Sequence, residues 1–335
     1  MQIPPLLNKV LSFITKNNLI EDNDQTLLGV SGGPDSVALL NIFYQLKNIL
    51  KITIGVAHVN YNLRKDASIE EELYVKKISE KYQLPFYNLS LNLKELPKNG
   101  SLEDNARNIR YDFFENVALK NNYNKLVLAH NANDQAETIL MKFIRGAVSG
   151  LKGIESKREF SLKNKELILV RPLLCLSRNE IELYCQEQNL SPKTDLSNFE
   201  DIYTRNRIRN KLIPLIIAEN PNFLEVAEQT SIVLNQEDKY LQNIARDVFT
   251  KAFIKKDSDK IILSYAVFKN FEDCIQRRVI KIAYQELTQN TKSFSYKNLE
   301  AIRECITKNI SKKVIGLPDN YFFTKEKEHL IFYRL

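Results

Sequence analysis

Cysteine is scarce in this chain: four residues, Cys175, Cys185, Cys274 and Cys305, among 335. No two form Cys-x-x-Cys, so zinc, iron–sulfur and dithiol chemistry find no support, and the expected state is reduced, mostly buried thiols in a cytoplasm. No apolar run is long enough to span a bilayer. The first residues, Met1-Gln2-Ile3-Pro4-Pro5, lack the basic region and small-residue cleavage site of an export signal. There is no internal repeat, no low-complexity segment and no basic tail. The formal net charge of +7 is spread over both halves, so it permits a nucleic-acid partner only through a folded patch. What remains is the composition of a globular protein, long enough for two domains or for one large domain with an appendage.

The stretch Leu27-Leu28-Gly29-Val30-Ser31-Gly32-Gly33-Pro34-Asp35-Ser36 organises the rest. An apolar run ends in a glycine-rich turn, and a helical pattern follows at once. Adjacent glycines let the backbone take positive φ and let a ligand approach closely. Free N–H groups at such a helix start favour phosphate. Ser31 and Ser36 add hydroxyls, Pro34 opens the helix, and Asp35 offers a hard oxygen to Mg²⁺. A plain capped strand–helix turn is the competing reading. The loop is neither a Walker A loop nor G-x-G-x-x-G.

Further strands are expected at Ile52–Val59, Phe86–Leu91, Leu126–His130 and Leu167–Val170, with helices between them. This alternation predicts βαβ units and a doubly wound parallel sheet. Its ligands would sit at the carboxyl ends of the strands, which carry Ser31-Gly32-Gly33, His58-Val59-Asn60 and His130-Asn131-Ala132. From about Asn220 long amphipathic helices take over, with β-like runs only at Lys260–Leu263, Lys313–Leu317 and Leu330–Tyr333. The sequence therefore predicts an α/β domain over residues 1–215 and a mainly helical domain over 216–335.

Asp134 and Glu137 stand three apart at a helix start and so share a face. They could merely complement the helix dipole. Beside a phosphate loop that also carries Asp35, two carboxylates that hold Mg²⁺ or handle protons are the stronger reading.

These motifs resemble two nested families. The Ser-Gly-Gly-x-Asp-Ser string resembles the pyrophosphate-binding loop of N-type ATP pyrophosphatases. His130-Asn131-Ala132-Asn133-Asp134-Gln135-Ala136-Glu137-Thr138, followed by Arg145-Gly146, resembles the His-His-x-Asp-Asp-Gln-Ala-Glu-Thr signature and Arg-Gly of the tRNA(Ile)-lysidine synthetase family. So do His58-Val59-Asn60 with Leu63-Arg64, Glu103 with Ala106-Arg107 and Arg110-Tyr111, and Arg171-Pro172-Leu173-Leu174. Asp195, Ser197-Asn198 and the run Tyr203 to Arg209 complete the likeness, which covers roughly residues 25–215. The chain departs from the family pattern at Asn131 and Asn133, where it has histidine and aspartate, and at Tyr61 and Asn62, where it has histidine and glycine.

The resemblance implies a PP-loop fold and ATP-dependent joining of L-lysine to C2 of the wobble cytidine of an isoleucine tRNA with a CAU anticodon. It implies Ser31, Gly32, Gly33, Pro34, Asp35, Ser36 and His58 at ATP, with Asp35 and Asp134 at Mg²⁺. Asp35, Asp134, Glu137 and Arg205 would act at the reacting centre. Arg107, Arg110, His130 and Glu137 would hold substrate or lysine, His130 as a contact rather than a proton carrier. Arg145, Arg205, Arg207 and Arg209 would meet tRNA phosphates, where a solvated charged face is the plain alternative. Another adenylating enzyme of the thiolase or amidation type, or a non-catalytic tRNA binder, remains the runner-up. The oligomeric state, homodimer included, stays open.

Overall fold

A computed structural model describes residues 3–62, 65–91, 102–146, 151–161, 166–193, 204–288 and 294–335. Leu63, Arg64, Ser101, Asp195, Ser197, Asn198 and Tyr203, and the Glu103 side chain, lie outside what is described. The chain divides into two compact units, Met1–Ile232 and Val233–Leu335.

In the first unit, α1 (Pro5–Lys16) precedes β1 (Gln25–Gly29), α2 (Pro34–Leu50), β2 (Thr53–Asn60), α3 (Lys65–Lys81) and β3 (Phe86–Ser90). Then come α4 (Leu102–Asn121), β4 (Lys125–Leu128), α5 (Ala132–Ile144), the hairpin β5 (Lys157–Ser161) and β6 (Glu166–Val170), and α6 (Arg178–Glu187). The six strands lie in the order β3-β2-β1-β4-β6-β5. All neighbours are parallel except the edge strand β5.

The central strands are apolar on both faces because helices cover both. Leu28, Val56, Val127 and Val170 meet Leu7, Val10, Leu39, Phe43 and Ile181 on one side. Leu27, Ala57, Leu126 and Leu169 meet Tyr111, Phe114 and Ala118 of α4 on the other. Gly29 is demanded by packing, since a Cβ there would lie 2.6 Å from Leu128 Cδ2.

Strand order reverses between β1 and β4, so the loops leaving these two strands diverge and leave a crevice above the sheet. The Ser31–Gly33 loop and the His130–Asn131 turn flank it. The fifth expected strand is β6, and β5 beside it was not expected. Its sequence, Lys-Arg-Glu-Phe-Ser, is too polar to register as a buried strand, which an antiparallel edge position allows.

A continuous helical stretch follows: α7 (Thr204–Arg207), a π turn (Ile208–Leu212) and α8 (Ile213–Glu219). Pro214 cannot donate to a carbonyl four residues back, and the widened turn before it accommodates that lack. The long helix α9 (Phe223–Ala252) comes next. Ala136, Ile208, Ile213 and Ala227 form a small core in which the start of α9 packs with α5. That packing places the first turns of α9 in the first unit, whereas the sequence reading divides the chain at 215/216.

The second unit carries β7 (Phe253–Asp257), β8 (Lys260–Ser264), α10 (Tyr265–Phe268), α11 (Asp273–Thr288), α12 (Tyr296–Thr307), β9 (Val314–Leu317), β10 (Tyr321–Glu326) and β11 (His329–Arg334). Five antiparallel strands in the order β7-β8-β11-β10-β9 form a sheet. Leu263, Phe323 and Phe332 from that sheet pack with Val279, Tyr284 and Ile302 from α11 and α12. The β-like runs at Lys260, Val314 and Leu330 are thus strands of one sheet, completed by β7 and β10.

Candidate active site

The glycine-rich loop is built around one hydroxyl. Gly32 has φ +97°, a conformation that disfavours any side chain. Ser36, buried in the first turn of α2, accepts the N–H groups of Ser31 and Gly32 at 3.1 Å each. It donates to the Gly33 carbonyl at 3.0 Å and lies 3.1 Å from Ser31 Oγ. The sequence reading has these N–H groups free, but here two of them converge on Ser36. Pro34 opens α2 after Gly33, where its missing N–H is harmless.

Asp35 follows and points its carboxylate across to β4. Its Oδ1 accepts from Asn131 Nδ2 at 2.8 Å, and Oδ2 lies 3.8 Å from the Arg178 guanidinium. Burial, and then the charge of Asp134, push the Asp35 carboxyl above its ordinary value despite Arg178 and Asn131. Two carboxylates that repel each other at a phosphate loop are a setting for a divalent cation. Among the described residues no three His, Cys, Asp or Glu side chains gather into a metal cage. Mg²⁺ suits this arrangement, since it usually takes one or two carboxylates and completes its shell with phosphate and water.

Asn131 ties the two halves of the site together. It is fully buried and caps α5 in a reciprocal box: its Oδ1 accepts from Asp134 N at 3.0 Å, while its own N–H donates to Asp134 Oδ2 at 3.1 Å. Asn133 Oδ1 accepts the Arg178 N–H at 2.9 Å, joining the starts of α5 and α6. The two departures from the family signature are therefore structural joints here.

One turn on, Glu137 has no exposed side-chain surface. Arg205 Nε donates to its Oε2 at 2.6 Å, and Arg209 Nε to its Oε1 at 2.5 Å. The same guanidiniums reach Asp134 Oδ1 at 2.9 and 3.5 Å. Arg205 and Arg209 stand four apart on one helical stretch and so turn the same way. Arg207, between them, is exposed and donates to Thr204 Oγ1 at 3.0 Å. A charge run that reads as one face in sequence is thus split: two arginines lock the carboxylates, and one faces outward. From the family resemblance noted in the sequence, we expect Arg207→Ala to lower the slope of log affinity for tRNA against log salt by about one phosphate, with ATP cleavage unchanged. Filter binding across a salt series measures it, and an unchanged slope would leave Arg207 as a merely solvated charge.

Two histidines flank β1. His58, at the end of β2, is buried, and its Nδ1–H donates to the Val30 carbonyl at 2.8 Å. Burial holds its pKa below the usual histidine value, and its Nε2 has no partner. His130, at the end of β4, accepts from Arg171 Nε at 3.2 Å. Burial and the charges of Arg171, Arg205, Arg110 and Arg107 hold its pKa well below the ordinary value. Arg107 and Arg110 lie 5.3 and 5.5 Å from the Tyr111 ring centroid, and Arg110 also hydrogen-bonds Tyr61.

The structure thus gathers Asp35, Ser36, His130, Asp134, Glu137, Arg205 and Arg209 around the crevice. Arg145 stands apart, exposed just past the far end of α5, about 16 Å along the helix from Asp134. Asn131, Arg171 and Arg178 were given no role by sequence reasoning. A signal existed for Arg171: it follows the last parallel strand, where the strand-end rule directs attention.

A family model described as a PP-loop domain matches residues 5–216. The chain is 35% identical over 330 residues to a protein named tRNA(Ile)-lysidine synthase from Clostridioides difficile, covering 97% of this chain and 70% of that one. It is 37% identical over 328 residues to a protein named bifunctional TilS/HprT from Listeria monocytogenes, covering 97% of this chain but half of that one. Among solved structures, the U34-tRNA thiolase NcsA of Methanococcus maripaludis, with its [4Fe-4S] cluster, superposes with a TM-score of 0.56 at 15% identity. That match covers 69% of this chain and 78% of the thiolase and speaks for the fold alone. Joined to the loop on β1 and the carboxylates on α5, these likenesses show that the chain belongs to the tRNA(Ile)-lysidine synthase family of PP-loop enzymes.

Proposed function

We propose that the protein uses ATP to join L-lysine to C2 of cytidine 34 in an isoleucine tRNA with a CAU anticodon. The observation that supports this reading most is the linked set Asp35–Asn131–Asp134 and Glu137–Arg205–Arg209 beside the Ser31–Gly33 loop. It offers an anion cradle, a cation seat and a buried carboxylate in one crevice. A cytidine in an anticodon loop is single-stranded and can be splayed into such a pocket.

In this reading the cytidine O2 attacks the α-phosphate of ATP and pyrophosphate leaves. The lysine ε-amine then attacks C2, the C2–O2 bond breaks, AMP departs and the amine gives up a proton. The Ser31–Ser36 loop and His58 hold the nucleotide. Asp35 and Asp134 would hold Mg²⁺, which would supply charge neutralisation at the phosphates. Glu137 takes the amine. Both its oxygens are engaged by arginines, so Arg205, whose side chain is 42% exposed, swings toward the phosphate charge as the amine arrives. Arg107, Arg110 and His130 contact the substrate. Residues 1–215 carry the chemistry and 216–335 the tRNA surface. Among the described residues no helix is long and apolar enough to cross a membrane.

Purified protein with Mg²⁺, ATP and radiolabelled lysine should transfer label to that tRNA. The label should survive mild alkali, since it joins nitrogen to a base carbon, whereas an aminoacyl ester would hydrolyse. AMP and pyrophosphate should appear in step with incorporation, and a methionine tRNA sharing the anticodon should be a poor substrate. Incorporation of sulfur or ammonia in place of lysine would overturn the reading, as would ATP binding with no cleavage on any tRNA.

A further inference from the structure

Arg171 occupies the residue after β6, and His130 lies two residues beyond β4. These strands are paired, with Val170 opposite Val127, so the two side chains meet above neighbouring strand ends. Arg171 is 5% exposed. Its Nη1 donates to the Glu155 carbonyl at 2.5 Å, its backbone N–H to the Ser156 carbonyl at 2.9 Å, and its Nε to His130 Nδ1 at 3.2 Å. The segment it grips is held from the other side as well: Gln135 of α5 accepts the Ile154 N–H at 2.5 Å and donates to the Ile154 carbonyl at 3.1 Å. The guanidinium is therefore a fixed part of the floor of the site.

A guanidinium N–H can only donate. The ring nitrogen facing it must present a lone pair, so a neutral His130 carries its single proton on Nε2. His58 is wired the opposite way: the Val30 carbonyl can only accept, which puts the proton on Nδ1 and leaves Nε2 bare. Two histidines at the ends of β2 and β4 thus offer opposite hydrogen-bond polarity on either side of β1. Charging His130 would break the Arg171 bond and place a cation among Arg107, Arg110, Arg171 and Arg205.

We propose that Arg171 is a positioning residue: it fixes His130 as a neutral imidazole whose Nε2–H donates to an oxygen of the bound substrate, so that His130 serves as a donor and never as a base. The role assigned to the substrate oxygen rests on the ATP-dependent reading above. The tautomer does not.

The test begins with the free protein. It has only three histidines, so ¹⁵N-labelled imidazole spectra resolve them. His130 should be Nε2-protonated and should not titrate between about pH 5 and 8, where an unrestrained histidine changes charge. In Arg171→Met the ring should populate both tautomers and titrate nearer the usual histidine range, while Arg171→Lys, which keeps a donor, should partly restore the lock. In tRNA-dependent ATP–pyrophosphate exchange, His130→Ala should lose about ten- to a hundredfold in kcat/KM. His130→Gln, whose amide N–H₂ can replace the Nε2–H, should recover much of that loss. A rise confined to KM for ATP places the oxygen on the nucleotide, and an effect on the tRNA parameters alone places it on the cytidine. An Nδ1-protonated or normally titrating His130 in the wild type, or a Gln variant as impaired as Ala, would overturn the proposal. Should lysine never enter tRNA while His130 shows the expected tautomer, the substrate reading falls and the positioning role stands.

Discussion

Asp35→Ala is expected to abolish ATP cleavage while leaving the fold intact. The loss should reach about a thousandfold or more, the scale on which removal of a charge-stabilising group acts on phosphoryl chemistry. The fold should survive because Asp35 lies in a first turn, contributes nothing to the hydrophobic cores and leaves Asn131 still capping α5 through Asp134. ATP–pyrophosphate exchange in the presence of tRNA measures the first claim and thermal unfolding the second. Full exchange in the variant would remove Asp35 from the chemistry. The pH dependence has a definite sign. Burial and Asp134 raise the folded Asp35 pKa above its ordinary 3.8, so the folded state holds this proton more tightly than the unfolded chain does. Stability from this group is greatest below the ordinary value and falls as pH rises through the raised one. Asp35→Asn should therefore be neutral or stabilising at pH 7 although inactive. Asp134→Asn removes the like charge and should shift the acid limb of any residual exchange to lower pH.

Glu137→Ala should be the most destabilising of the single substitutions considered, by about 3–5 kcal/mol. Glu137 is fully buried and receives Arg205 and Arg209 on its two oxygens. Without it two guanidiniums remain packed over α5, and only Asp134, already engaged in a cap, can answer them. Urea denaturation should show the loss, and Arg209→Ala combined with Glu137→Ala should cost less than the sum of the two single changes. A change below about 0.5 kcal/mol would mean that the arginines relax into solvent and that the cluster is not an electrostatic unit. Activity should vanish in either case, since the same carboxylate is assigned to the lysine amine.

The parallel sheet was legible because Leu27-Leu28, Val56-Ala57 and Leu126-Val127 are buried on both faces and read as apolar runs ending in polar turns. The hairpin strand β5 was not, because an edge strand needs no such run. The pairing of Asp134 with Glu137 followed from helical spacing alone. The inward turn of Arg205 and Arg209 did not, because a run interrupted by Pro214 does not read as a helix and a π turn has no composition of its own. Asn131 was visible only as a departure from a signature. Its hold on Asp35, 96 positions away, is a fact of tertiary structure that no local pattern encodes.

The hydroxyl of Ser36 in the mouth of the loop bears on selectivity. The amides of Ser31 and Gly32 already have an acceptor, neutral and covalently tethered, so the cradle is shaped before any nucleotide arrives and little ordering entropy is lost on binding. An incoming group must outcompete that internal acceptor. A phosphate can, because its charge draws on the helix dipole as a hydroxyl does not. Water and uncharged solutes cannot. In the proposed reading the loop would thereby act as a threshold detector for anionic charge, set by one serine against its own backbone.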